Sequence, residues 1–144
     1  MSMTSLRAAS SLWRDVRIAV GPYRPHTMIV GPAWEADLFV EALREDLLEP
    51  VCTLDCARMN LIPDDARTII LYNLDALNVC GQLALMDRLE SYAGMLQVVS
   101  VAEQPPFARV QRGLLMETLY RRLSLVYLVT DGPRSGQEGR EGLD

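Results

Sequence analysis

The stretch Thr27-Met28-Ile29-Val30-Gly31-Pro32-Ala33-Trp34-Glu35-Ala36-Asp37-Leu38 decides the fold. Its first four residues form a short run suited to a buried strand, and Gly31-Pro32 ends that run. Pro32 fits the first turn of a helix, so the strand passes directly into one. Trp34, Leu38, Val40 and Leu43 then recur near helical spacing as far as the acidic stretch around Glu45.

The same alternation continues along the chain. Val51-Cys52-Thr53-Leu54, Thr68-Ile69-Ile70-Leu71-Tyr72, Leu96-Gln97-Val98-Val99-Ser100-Val101 and Leu125-Val126-Tyr127-Leu128-Val129 read as four further strands. Val79, Leu83, Met86 and Leu89 mark the apolar stripe of a helix that ends near Gly94, and Leu115, Leu119 and Leu123 mark another. Strands separated by helices, with little in-out alternation, predict an α/β fold: a parallel five-stranded sheet with helices on both faces. Residues 1–25 are expected to form an N-terminal helix and linker, with Leu6, Leu12, Trp13 and Val16 as the apolar members of the helix. Residues 26–130 are the α/β domain. Residues 131–144, rich in glycine and charge, read as a disordered tail.

Composition narrows the chemistry. The 144 residues suit one domain, and all 14 positive charges are arginine. Without lysine there is no phosphate-loop lysine, Schiff-base lysine or lysine general base. The net charge of −5 argues against direct nucleic-acid binding. No apolar run reaches membrane-spanning length, and no secretory leader is evident. Cys52, Cys56 and Cys80 lie in segments that read as core and lack zinc-knuckle spacing, which suits a reducing cytoplasm. His26 is the only histidine, so a metal site or a nucleophile–histidine site would depend on that one residue. No cofactor and no metal are expected.

In a parallel α/β sheet the first strand-to-helix turn is the usual phosphate cradle. A working loop reads G-x-x-x-x-G-K-[ST]: its glycines let backbone amides approach phosphate, its lysine neutralises charge and its hydroxyl holds magnesium. Here Gly31 is present, but Ala36 stands at the second glycine, Asp37 at the lysine and Leu38 at the hydroxyl. Glu35 and Asp37 are expected to favour the positive helix end themselves and to repel a triphosphate. The third strand, where a magnesium-organising acidic pair belongs, ends in Tyr72-Asn73, with Asp75 displaced beyond it.

The order of these segments resembles the sigma-54 interaction domain, the AAA+ core of bacterial enhancer-binding activators, over roughly residues 27–129. Asp55-Cys56-Ala57-Arg58-Met59 echoes the family's N-C-A-x-L run. Arg67-Thr68-Ile69-Ile70-Leu71-Tyr72-Asn73-Leu74 echoes G-T-L-F-L-D-E-I with both acids replaced. Gly113-Leu114-Leu115-Met116-Glu117-Thr118-Leu119-Tyr120-Arg121-Arg122-Leu123 is similar to G-x-F-R-x-D-L-Y-Y-R-L. The resemblance implies a P-loop NTPase (AAA+)-like core without the helical lid. It places Arg122 at one trans-acting arginine of the family and Met116 at the other. The chain departs from the family at three further points: the stretch between Cys56 and Thr68 is too short for the G-A-F-T-G-A loop, Glu103 replaces the sensor asparagine, and neither lid nor helix-turn-helix follows the fifth strand.

These features together lead to the expectation of a non-catalytic regulatory protein, a pseudo-ATPase that acts through protein contacts. Its partner would be a sigma-54 activator or a second copy of the chain, with Arg121 and Arg122, one or both, expected to project outward as a solvated pair or as a docking point. Two alternatives are a receiver-like signalling domain and a weak nucleotide-binding module. The first needs acidic residues after strand one and a lysine after strand five, against which Gly31-Pro32 and the lysine-free chain both speak. An enzyme using His26 with a cysteine or serine would need His26 at the carboxyl ends of the strands, although it precedes strand one.

Overall fold

The computed structural model describes residues 21, 23–58, 62–91 and 95–130. The expected N-terminal helix, the tail and the helix end at Gly94 lie outside the described residues. Five strands form one parallel sheet: β1 (Thr27–Val30), β2 (Val51–Asp55), β3 (Thr68–Tyr72), β4 (Gln97–Ala102) and β5 (Val126–Val129). The order across the sheet is β2-β3-β4-β1-β5. The predicted strands agree to within a residue at each end. Burial explains why they were readable: β1 and β4 are buried at every position and β3 at all but its last, while the edge strands β2 and β5 are part-exposed.

Helices cover both faces. On one side, α1 (Ala33–Arg44) packs Ala36, Phe39, Val40 and Leu43 against Ile29, Ile70, Val99 and Leu128. On the other, α2 (Val79–Ser91) and α4 (Glu117–Leu123) bury Leu85, Leu89, Leu119 and Leu123 against Met28, Ile69, Leu71 and Val98. Successive strand residues point to opposite faces, so Met28 and Ile29 enter different cores. A short helix that the sequence pattern did not reveal, α3 (Phe107–Gln111), precedes α4.

Two helix faces differ from the sequence reading. In α1, Trp34 and Leu38 are exposed, and the core stripe is Ala36, Phe39, Val40 and Leu43. In α2, Val79 and Leu83 are exposed, and the buried stripe is Gln82, Leu85, Arg88 and Leu89. Both helices carry apolar residues on two stripes, and the buried stripe of α2 contains two polar residues that mask it. Cys80 is also exposed, so the expectation of three core cysteines holds for Cys56 but not for Cys80. Leu115 is buried as expected, but lies in the turn before α4 rather than within it.

The two buried polar residues tie α2 to its neighbours. Asn78 starts the helix, its side-chain carbonyl accepting the Gly81 N–H at 2.8 Å. Gln82 then spans the gap to α4: its amide nitrogen donates to the carbonyls of Leu114 and Leu77, and its amide oxygen accepts the Met116 N–H at 2.8 Å. Met116 has no side-chain cap to offer α4, so Gln82 satisfies one of the donors that every helix start leaves open. Arg88 donates to the carbonyls of Ile62 and Pro63 and anchors the segment that enters β3.

Replacing Gln82 by Leu therefore leaves a buried carbonyl and amide unmet and should destabilise the fold by about 2–3 kcal/mol. Leu83→Ala, one residue along on the exposed stripe, should change stability by no more than about 0.5 kcal/mol. Urea denaturation of the two variants measures both, and the reverse order would assign α2 the face read from its sequence.

Candidate functional site

Gly31, the first residue after β1, is held from both sides. Its N–H donates to Ala102 O at 3.0 Å, while Thr130 N–H donates to Val30 O at 2.9 Å. A Cβ on Gly31 would meet Thr130 Oγ1 at 1.8 Å, and the residue has φ 157°. The glycine is thus required by the close passage of the chain leaving β5. This packing accounts for Gly31 without a phosphate.

The other three positions compared with a phosphate loop separate in space. Ala36 is wholly buried in the core beneath α1, Leu38 is exposed, and Asp37 is exposed on the second turn of α1. Glu35 takes the position at the helix start, and its side chain is buried rather than presented to solvent. Asp37 faces Tyr72 at the carboxyl end of β3 instead of the helix end. Burial, the negative charge of Asp37 and a hydrogen bond to that carboxylate push the Tyr72 hydroxyl up to about 12. Two positions that in a working site would carry a lysine and an acid are occupied here by an acid and a phenol, each engaged with the other. Asn73 follows in a left-handed conformation, φ 61°, which asparagine tolerates, and turns the chain away from the sheet.

His26, Arg121 and Arg122 meet at the opposite, amino end of the strands. They line a groove of about 720 Å3 together with Leu89, Thr118 and Leu125. Val98 N–H donates to His26 Nδ1 at 3.0 Å, so the neutral ring carries its proton on Nε2. Burial lowers the His26 pKa from 6.5, and the Arg122 charge lowers it further. Arg121 forms a 2.6 Å ion pair with Glu117 on the exposed face of α4. Arg122 is half-buried, and its guanidinium has no hydrogen-bond or ion-pair partner among the described residues.

His26 is thus far from the carboxyl ends of β2 and β3, beyond which Cys56 and Cys80 lie. Burial, helped by Asp55 and Asp75, pushes the Cys56 thiol up to about 12, so it is a poor nucleophile near neutral pH. Among the described residues no group of three or more His, Cys, Asp or Glu could hold a metal ion. No helix among them is long and apolar enough to cross a membrane. Tyr72 and Asp37 were each visible in the sequence; their contact was not, because it depends on how α1 lies over β3.

Two outcomes follow. Gly31→Ala should lower Tm by many degrees, and Thr130→Gly in the same chain should recover part of the loss; a melt unchanged by Gly31→Ala would contradict the packing explanation. Because His26 binds its proton less readily folded than unfolded, its contribution to stability is present above pH 6.5 and is lost as pH falls below it. His26→Asn keeps an acceptor for Val98 N–H and should flatten the dependence of Tm on pH in that window.

No protein-family model matches the chain, and no curated protein sequence matches it. Solved structures do. The chain superposes on NtrX from Brucella abortus in complex with ATP with a TM-score of 0.73 at 16% identity, covering 87% of this chain and 35% of that one. Against the ADP complex the TM-score is 0.71 at 18% identity, covering 90% and 36%. A further NtrX structure gives 0.69 at 15% identity, covering 92% and 37%. The chain therefore spans about a third of the length of these neighbours, and what it shares with them is the fold, a P-loop NTPase, AAA+-like α/β core.

Proposed function

We propose that this chain is a non-catalytic regulatory protein related to sigma-54-dependent activators, a pseudo-ATPase that acts in the bacterial cytoplasm through protein contacts. The observation that carries the reading is the pairing of Asp37 with Tyr72 at the carboxyl ends of the strands. A nucleotide triphosphate there would need a cation where Asp37 puts a carboxylate, and a metal-organising acid where Tyr72 puts a protonated phenol. The NtrX neighbours are described with ATP and ADP. This chain keeps their fold and none of the lysine, hydroxyl and acidic pair that a phosphate loop uses.

With hydrolysis removed, the surface remains. Arg121 and Arg122 stand on the outer side of α4, whose Leu119 and Leu123 are fully buried. In the family that the sequence resembles, the counterpart of Arg122 acts on a neighbouring subunit. A subunit that keeps this arginine without a site of its own would cap or block an active neighbour, which favours a sigma-54 activator as the partner; assembly with a second copy of this chain is the alternative.

Calorimetry with ATP and magnesium should give no heat of binding at micromolar protein. A micromolar dissociation constant, about −8 kcal/mol, would contradict the reading. Titration into an active sigma-54 activator should change its ATPase rate or its oligomer size, and Arg122→Ala should weaken that change with Tm almost unaltered. An activator indifferent to a large excess of this protein would place the partner elsewhere.

A further inference from the structure

The groove beside Arg122 adjoins a second one of about 310 Å3, and the two share His26 and Leu125. Arg24, Arg67 and Met95 line the second groove. Together they form a neighbouring pair of hollows at the amino ends of the strands, opposite the end where Asp37 meets Tyr72. Its charge is one-sided. The guanidinium groups of Arg67 and Arg122 have no hydrogen-bond or ion-pair partner among the described residues, and that of Arg24 donates to a neutral acceptor, the Asp46 carbonyl. Among the described residues lining either groove Glu117 is the one carboxylate, and it is already paired with Arg121. Three arginines without a carboxylate partner in a chain of net charge −5 are a local reversal of sign.

Apolar side chains rim the same pair of hollows. Tyr23, Met95 and Leu125 are each more than half exposed, and all three line it. His26 adds a donor: with Nδ1 occupied by Val98 N–H, its Nε2–H is the ring's remaining hydrogen-bond donor. Arginines without acidic partners, one fixed N–H donor and exposed apolar residues between them match a ligand that alternates carboxylates with apolar side chains. The overall negative charge disfavours a long nucleic acid, whose phosphates would be repelled by the rest of the surface.

We propose that the two adjoining grooves at the amino ends of the strands bind an acidic peptide segment of a partner protein, with Arg67 and Arg122 holding its carboxylates and Leu125 and Met95 seating its apolar side chains. The proposal rests on the reading that the protein works by protein contact, and it names the chemistry of that contact.

The test uses the full chain and a fluorescent synthetic peptide of alternating aspartate and leucine with blocked ends. The same peptide with lysine for aspartate and an oligothymidylate are the comparisons. The acidic peptide should bind, more weakly as salt rises. Arg122→Ala and Arg67→Ala should each weaken it roughly tenfold, while Arg58→Ala, an exposed arginine after the carboxyl end of β2, should leave it unchanged. His26 is the only histidine, so its ring proton signal reports occupancy directly: bound carboxylates should move its titration upward, against the neighbouring charges of Arg121, Arg122 and Glu117. Binding that ignores both substitutions, an unmoved His26 signal, or equal binding of the oligothymidylate would each overturn the proposal. Its failure is distinct from that of the non-catalytic reading, since ATP binding is measured at the other end of the sheet and neither result predicts the other.

Discussion

β1 is buried on both faces and paired on both edges, and the turn that leaves it is fixed by that enclosure. Ala102 accepts the Gly31 N–H on one side, and Thr130 donates to Val30 on the other. The gap between them has no space for a Cβ. A glycine after the first strand of a parallel sheet usually suggests a phosphate, because backbone amides can then approach one. Here packing alone demands it. A glycine at this place thus needs no bound phosphate to explain it, since it serves the contact between β1 and the chain beyond β5.

The sheet could be read from the sequence because of the same enclosure. Strands buried on both faces have no polar face to show, so β1, β3 and β4 appear as apolar runs whose ends coincide with Gly31, Tyr72 and Ala102. The helices were harder because each has one buried side but carries apolar residues on more than one. Trp34 and Leu38 on α1, with Val79 and Leu83 on α2, compete with the true core stripes. In α2 the core stripe also holds Gln82 and Arg88, whose hydrogen bonds go to residues distant in sequence. Only the tertiary fold shows why polar residues belong there.

At the candidate site the local substitutions were legible and their mutual relation was not. Asp37 and Tyr72 each depart from what a phosphate site needs, and each alone has an ordinary explanation as a helix-surface acid or a strand-end tyrosine. The fold brings them together over β3, where burial and then the Asp37 carboxylate push the ionisation of the phenol up to about 12. At the other end of the sheet, Arg122 and Arg67 come from separate elements and line two adjoining grooves that meet at His26, so no single motif announced them. The two ends of the sheet therefore differ: Asp37 and Tyr72 face each other at the carboxyl ends, and arginine side chains without acidic partners among the described residues lie at the amino ends.

The state of the Tyr72 hydroxyl tests this account most directly. With tyrosine labelled at the ring carbon bearing the hydroxyl, and the Tyr72 signal assigned by its loss in Tyr72→Phe, NMR follows its ionisation with and without ATP and magnesium. The account predicts a signal that titrates near 12, drops in Asp37→Asn, and does not move when nucleotide is added. A tyrosine that titrates near its ordinary value of 10, or that shifts on addition of ATP, would mean that Asp37 and Tyr72 do not close the site.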